Sequence, residues 1–302
     1  MPELPEVETV VRDLRKKIVG HKIERVWTDW PKLIKDLEKQ DRINVSEKAV
    51  AHFTREVIGK KIERVERRAK NILIYLSDDH LILVHQKMTG HFLVGRWEIE
   101  KDKAVPVSPK EIVDDPYNRH VHLILYLSGG KQLGLSDVRK FAKVLFGTRS
   151  QIENLPELKE LGLDALSPAL GLVQFARIVL AHRRKIKQVL MDPKVIAGIG
   201  NIYSDDILWR ARVHPARPAN SLTSKEVKDV YKAMREVLTK AVKLRGTSTS
   251  DFRDTAGKEG GYTEHRLVYQ RKGQPCVRCK ALIERMVVGG RSAHFCSNCQ
   301  KS

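Results

Sequence analysis

The chain opens Met1-Pro2-Glu3-Leu4-Pro5-Glu6-Val7-Glu8-Thr9. If Met1 is removed, Pro2 presents a free secondary amine. An α-amino group titrates near pH ~7.7–8.0, so part of it is unprotonated at neutrality, whereas a lysine at ~10.4 needs tuning to match. Such an amine can capture an electrophilic carbon as an iminium. Glu3 places a carboxyl group beside it that can move protons. From these nine residues alone, the simpler reading is a rigid lead-in to a helix, because Pro is favoured in the first helical turn. The sequence that follows is helical over 6–20: Val7, Val10, Val11, Leu14 and Ile18 share one face, Arg12, Arg15, Lys16 and Lys17 take much of the rest, and Gly20 stops it.

At 302 residues the chain is long enough for about two domains. A hydrophobic content of 41% and a mean hydropathy of -0.37 suit a globular protein with proper cores. No run of eighteen or more apolar residues occurs, so no membrane-crossing helix is expected. The acidic start lacks the apolar stretch of a signal peptide. Fifty-six basic residues stand against 37 acidic ones, a formal charge of +19. That excess points to a polyanionic partner, nucleic acid before membrane surface. All four cysteines fall in the last 27 residues, which indicates one local site in a reducing cytoplasm and not a disulfide framework.

After the leading helix, strand-like runs appear at Lys22–Trp27, Val57–Arg67, Asn71–Leu76, His80–Val84, Phe92–Arg96, Val121–Leu127, Gln132–Leu135 and Lys140–Phe146. Ser77-Asp78-Asp79 and Ser128-Gly129-Gly130 read as hairpin turns, and the charged stretch 98–119, with three prolines, reads as a surface loop. Many short antiparallel strands at this spacing predict a β-sandwich for residues 1–150. Beyond it the pattern turns helical, at 155–161, 171–183, 185–191, 202–211 and 224–244, with Thr223 and Glu226 forming a capping box ahead of the last. Residues 246–262 are small and polar and read as a mobile loop closing a helical domain over 151–262. The fold class is therefore α+β.

Residues 263–302 carry Cys276-x2-Cys279 and Cys296-x2-Cys299, two pairs 16 residues apart. This is the spacing of a four-cysteine zinc site. Four thiolates fill a tetrahedron and leave no place for water, so the single Zn²⁺ should be structural. From 258 to 302 there are nine basic residues and three acidic ones, which suits a zinc ribbon that touches nucleic acid; a staple for folding or subunit contact is the alternative. Between two helical runs, Gly198-Ile199-Gly200-Asn201 puts Asn201 where a helix starts, so its side chain and backbone can face a phosphate. An ordinary helical hairpin capped by Asn201 reads equally from this turn alone.

Four segments in order, MPELPEVET at 1–9, RRAKNIL at 67–73, GIGNIY at 198–203 and the paired cysteines, resemble the formamidopyrimidine-DNA glycosylases, and the resemblance spans the whole chain. It implies a bifunctional glycosylase and abasic-site lyase that excises oxidised purines (8-oxoguanine, formamidopyrimidines) from double-stranded DNA. Catalysis would run through an N-terminal proline iminium and β,δ-elimination, without a redox cofactor, in a monomer. By that resemblance Pro2 is the nucleophile, Glu3 the proton-transfer residue, Glu6 its neighbour, and Lys70 a phosphate contact that assists. Met88, Arg139 and Phe141 match the residues that fill the gap left by a flipped nucleotide, a wedge role known for apolar side chains. Lys187 and Asn201 would belong to a helix–two-turn–helix region gripping the strand, Arg291 would hold the phosphate beside the lesion, and 246–262 would be a lid over the flipped base. The family start with Gly in place of Leu4 belongs to endonuclease VIII, which takes oxidised pyrimidines, so Leu4 favours purines. A chain that retained Met1 would have an acylated Pro2 and could only bind damaged DNA. Gln86-Lys87, Asn71, Ala142 and Asp206 depart from the family pattern and bear on lesion preference and wedge geometry.

Overall fold

The structure is a computed structural model that describes residues 1–37, 45–249 and 251–301; position 250 of the lid stretch and the last ribbon position, 302, lie outside the described residues. The first elements are α1 (Leu4–Lys17), β1 (Ile23–Thr28), β2 (Ile34–Asp36), α2 (Val45–Val57), β3 (Ile62–Arg68), β4 (Asn71–Leu76) and β5 (His80–His85). They are followed by β6 (His91–Glu100), β7 (Lys103–Ser108), α3 (Lys110–Asp114), β8 (Val121–Leu127), β9 (Lys131–Ser136), β10 (Lys143–Thr148), α4 (Arg149–Glu153) and α5 (Pro156–Lys159). The second half holds β11 (Leu163–Asp164), α6 (Leu172–Leu180), α7 (Ile186–Met191), β12 (Ile196–Ala197), α8 (Asn201–Arg210), α9 (Ser224–Lys243), β13 (Glu284–Val288) and β14 (Arg291–Phe295).

Two units emerge: Met1–Lys159 with Arg245–Gly260, and Glu160–Leu244 with Gly261–Ser302. In the first, two five-stranded sheets run β1-β8-β9-β6-β7 and β2-β10-β5-β4-β3. Pairing is antiparallel except for β2 against β10. All six residues of β4 are buried, as a central strand requires. Val7, Val10, Val11 and Leu14 of α1, with Ile18 at its C-cap, are fully buried in the same core as Ile72, Ile74, Val84 and Leu135. Each contributes on the order of 1.5–3 kcal/mol. The helix that carries the N-terminus is thus fixed to the sandwich and cannot move independently of it.

Three expectations change. The strand expected from Val57 begins at Ile62, because Ala49, Phe53 and Val57 recur every fourth residue on one buried face of α2. The expected loop over 98–119 is largely ordered: β6 runs on to Glu100, β7 pairs with it, and α3 follows. An edge strand tolerates the charges, and Pro106 needs no ladder partner there. Finally, residues 245–260 pack with the sandwich and not with the helices. Thr247, Phe252, Asp254 and Thr255 of this stretch are buried, because the stretch finds its hydrogen-bond partners on α1 and β6. Among the described residues no helix is long and apolar enough to cross a membrane.

In the second unit α8 is buried almost all round, including Ser204, Asp205 and Asp206. A helix so enclosed needs partners for its polar side chains, and those partners lie on α7 and in the segment that leads into and carries the cysteines.

Candidate active site and zinc centre

At the N-terminus Glu3 is the N-cap of α1, and it forms a reciprocal capping box with Glu6. The Glu3 N–H donates to Glu6 Oε2 at 2.7 Å, and Thr247 N–H donates to Glu6 Oε1 at 2.7 Å. Glu3 and Glu6 are 2% and 1% exposed, and Pro2 is buried beside them. With Met1 in place the Pro2 nitrogen is a peptide nitrogen; removing Met1 makes it the amine at the positive end of a helix. Gly246 passes Glu6 so closely that a Cβ would lie 2.7 Å from Oε1, and its φ of 82° also selects glycine.

Lys70 sits in the β3–β4 turn. Ala69 before it has a φ of 55°, the Arg67 guanidinium donates to the Ala69 carbonyl at 3.0 Å, and Asn71 donates to the Arg68 carbonyl at 3.3 Å. The departure at Asn71 thus closes the turn. Arg67 also donates to Glu8 Oε2 at 2.8 Å, which ties the Lys70 turn to α1. Glu8 is held below the usual carboxylate range: burial works against ionisation, and Arg67 and Arg12 outweigh it. Nearby, His85 is pushed down to about 3 by burial and by Lys87, Lys70 and Lys143, so it stays neutral and accepts the Lys87 N–H at 3.0 Å.

Met88, Arg139 and Phe141 come together as two adjoining turns. Met88 and Phe141 are 40% and 51% exposed, large apolar side chains held out of the core. The Arg139 guanidinium carbon lies 4.6 Å from the Phe141 ring centre. The organiser is Asp137, 1% exposed. Its Oδ2 accepts the Phe141 and Ala142 N–H groups at 2.7 Å each, and Oδ1 accepts the Thr89 hydroxyl. Thr89 in turn receives the Arg139 N–H at 3.1 Å, joining the Met88 turn to the Phe141 turn. Ala142 fits without disturbing this arrangement. Gln86 is less comfortable: it is 1% exposed, and neither side-chain amide atom has a hydrogen-bond partner among the described residues.

In the second unit Cys276, Cys279, Cys296 and Cys299 bring their sulfurs within 4.8 Å of one another. Cys276–Cys299 and Cys279–Cys296 are 4.0 and 3.4 Å apart. Zn–S bonds of ~2.3 Å give tetrahedral S–S edges of roughly 3.8 Å, so these donors fit one structural Zn²⁺. The Trp209 indole N–H of α8 donates to Cys276 Sγ at 3.4 Å, and the Arg278 guanidinium covers the Trp209 ring at 4.0 Å. The metal site and α8 thus share one small core with Val268 and Ile283.

The turn before α8 corrects two expectations. Gly200, not Asn201, is the N-cap; Asn201 is the first helical residue, and its Oδ1 is buried without a partner among the described residues. Lys187 does not present its charge on the surface: it is 0% exposed and paired with Asp205, with Ser204 Oγ at 3.2 Å. Asp205 also accepts the His294 backbone N–H at 2.9 Å, so a buried charge pair joins α7, α8 and β14. Arg291, at the start of β14, is exposed and lines a pocket of about 250 Å³ with Arg184, Lys187, Gln188 and Gly289. Asp206, one of the departures from the family pattern, accepts Tyr262 Oη–H, Leu267 N–H and Val268 N–H, each at 3.0 Å. Burial pushes its carboxyl up to about 6 against those hydrogen bonds.

Asp137, Thr89, Asp205, His294 and Trp209 were not singled out from sequence as site residues. Asp137 alone left a signal, an Asp just before successive loop N–H groups; the others are defined by partners distant in the chain.

Three family models match this architecture. Residues 1–144 match the formamidopyrimidine-DNA glycosylase N-terminal domain, 161–253 the formamidopyrimidine-DNA glycosylase H2TH domain, and 273–301 the zinc finger found in FPG and IleRS. The formamidopyrimidine-DNA glycosylase of Pelotomaculum thermopropionicum is 38% identical over 303 residues, covering 100% of this chain and 99% of that protein. The Lactococcus lactis Fpg in complex with abasic-site DNA is similar with a TM-score of 0.82 at 29% identity, over 99% of this chain and 100% of that one. A variant of that Fpg in complex with Fapy-dG-containing DNA has a TM-score of 0.82 at 30% identity, over 100% of both chains. Sandwich, helical unit and four-thiolate ribbon, in that order, define a zinc-finger DNA glycosylase of base-excision repair, an enzyme of the glycosylase and abasic-site lyase class. The chain belongs to the formamidopyrimidine-DNA glycosylase family.

Proposed function

We propose that the chain, after loss of Met1, excises oxidised purines from double-stranded DNA and then cuts the strand at the resulting abasic site. The observation that carries this reading is the N-terminal corner, where Pro2 adjoins two buried carboxylates, Glu3 and Glu6, at the start of a rigid helix. The Pro2 amine attacks C1′ of the flipped nucleotide; the C1′–N bond to the base breaks, and Glu3 manages the proton that leaves with the base or opens the sugar. The resulting iminium acidifies C2′, so the 3′-phosphate departs by β-elimination and the 5′-phosphate by δ-elimination. Hydrolysis then returns the amine. Lys70 neutralises a strand phosphate during these steps.

Met88, Arg139 and Phe141 fill the vacated stack, and their exposure supports that role. Asn201 and Arg291 take phosphates, with Lys187 holding their elements from inside. The Lactococcus lactis relatives bound to abasic-site and Fapy-dG DNA support the substrate class, and Leu4 favours purines over pyrimidines. We place the enzyme in the bacterial cytoplasm as a monomer.

Borohydride reduction during incubation with an 8-oxoguanine duplex should trap a covalent protein–DNA adduct. The absence of an adduct from protein with a verified Pro2 terminus would refute the iminium route. Faster cleavage of a thymine-glycol duplex would instead reassign the lesion class.

A further inference from the structure

Residues 245–249 and 251–260 belong to a loop with a closed neck: a Cβ on Gly260 would lie 2.4 Å from the Gly246 carbonyl oxygen, so the two ends touch. The loop stands on α1. At its first end Thr247 N–H reaches Glu6, as described above. Further along, the Thr255 hydroxyl donates to Asp13 Oδ2 at 2.9 Å and receives Lys17 Nζ at 2.7 Å, while the Thr255 carbonyl accepts Val94 N–H at 2.9 Å.

One side chain spans the neck and the body. The Arg245 guanidinium pairs with Asp13 of α1 and, at 2.7 Å, with Asp254 of the loop. Asp254 is 4% exposed as a side chain, and it also accepts the Ala256 and Lys258 N–H groups at 2.8 and 3.0 Å. Arg245 itself has a φ of 63°, a conformation in which glycine or asparagine is at ease and arginine is not. An arginine held there has its side chain in use.

We propose that Arg245, bridged between Asp13 and Asp254, is a latch that fixes this loop on α1 and so acts as a positioning residue for base excision. The inference rests on the reading of Pro2 and Glu3 given above. The loop's Thr247 N–H and the Glu3 N–H share the Glu6 carboxylate, so a loop that shifts on α1 shifts beside Glu3, which in that reading manages the proton that leaves with the base. An abasic substrate carries no base, and its cleavage should not depend on the latch.

The test compares the full-length protein with Arg245→Asn, which suits the backbone but removes the charge, and with Arg245→Lys, which keeps one charge. Asp13→Asn serves as the second way to open the latch. Excision of 8-oxoguanine should slow by roughly three- to thirty-fold in Arg245→Asn and Asp13→Asn, and less in Arg245→Lys. Strand cleavage at a preformed abasic site should stay unchanged, and melting should not fall in Arg245→Asn. Limited proteolysis of the DNA-free protein reads the same latch without activity: cleavage within 246–260 should accelerate in both open variants. Equal losses on the two substrates, or unchanged excision and proteolysis, would overturn the proposal. If the wild-type protein were inactive on both substrates, the assigned activity would fall, while the proteolysis comparison would still decide the latch.

Discussion

Asp137 holds Phe141 by its backbone: Oδ2 accepts the Phe141 N–H at 2.7 Å, while the phenyl ring stands half exposed. A buried carboxylate thus aims an apolar side chain at solvent. Asp137→Ala should slow excision by roughly ten- to a hundred-fold through misplacement of Phe141, the proposed wedge. Phe141→Ala should slow it without lowering Tm, because the ring contributes little to the core. Single-turnover kinetics with parallel melts check both.

Gln86 buries an amide that finds no partner among the described residues. Gln86→Leu removes two unsatisfied polar atoms at similar volume and should stabilise the protein by about 1–3 kcal/mol. Urea unfolding measures the change; a lower midpoint would mean that ordered water satisfies the amide.

Trp209 donates to Cys276 Sγ and orients that ligand. Trp209→Phe keeps most of the ring but removes the N–H, and zinc affinity should fall by roughly ten- to a hundred-fold. Competition with a chromophoric chelator reads it. Stripping zinc should lower DNA affinity before it unfolds the sandwich, which has its own core.

Lys187 and Arg291 line one pocket but should fail differently. Arg291→Ala should reduce the slope of log affinity against log salt by about one, as for a lost phosphate contact. Lys187→Met leaves Asp205 buried with its principal partner gone, which should cost roughly 3–5 kcal/mol of stability, with the slope unchanged in whatever protein remains folded. Salt titrations and denaturant melts separate the two.

His85, neutral down to about pH 3, is protonated in the unfolded chain below its ordinary 6.5. The unfolded state therefore binds the extra proton between about 6.5 and 3, and this contribution to stability, present in full above 6.5, is lost as pH falls through that window at ~1.4 kcal/mol per unit. Asp206 acts in the opposite sense: with its carboxyl raised to about 6 from 3.8, the folded state keeps a proton that the unfolded state releases, so its contribution falls as pH rises through that range. Melts against pH should show a shallower acid loss in His85→Gln and a steeper one in Asp206→Asn.

Much of this was legible in local pattern. Asn71–Leu76 and Val121–Leu127 are apolar runs bounded by turn residues, and they form β4 and β8 with those same limits. Thr223 and Glu226 cap α9 as their spacing requires. Other features were legible but passed over: Ala49, Phe53 and Val57 carry the helical period of α2.

The four segments spread along the chain, the cysteine spacing and the charge were sufficient for the family, the metal and the class of partner, because each is read from residues close together in the chain. Packing alone decided the rest. A lysine in a basic helix cannot be told from sequence to be buried against Asp205 or exposed like Arg291, since the difference lies in α8 and β14. Nor could a small, polar stretch reveal that it rests on α1: its carboxylate and arginine partners, Asp13 and Arg245, are 232 residues apart and meet only in the folded chain.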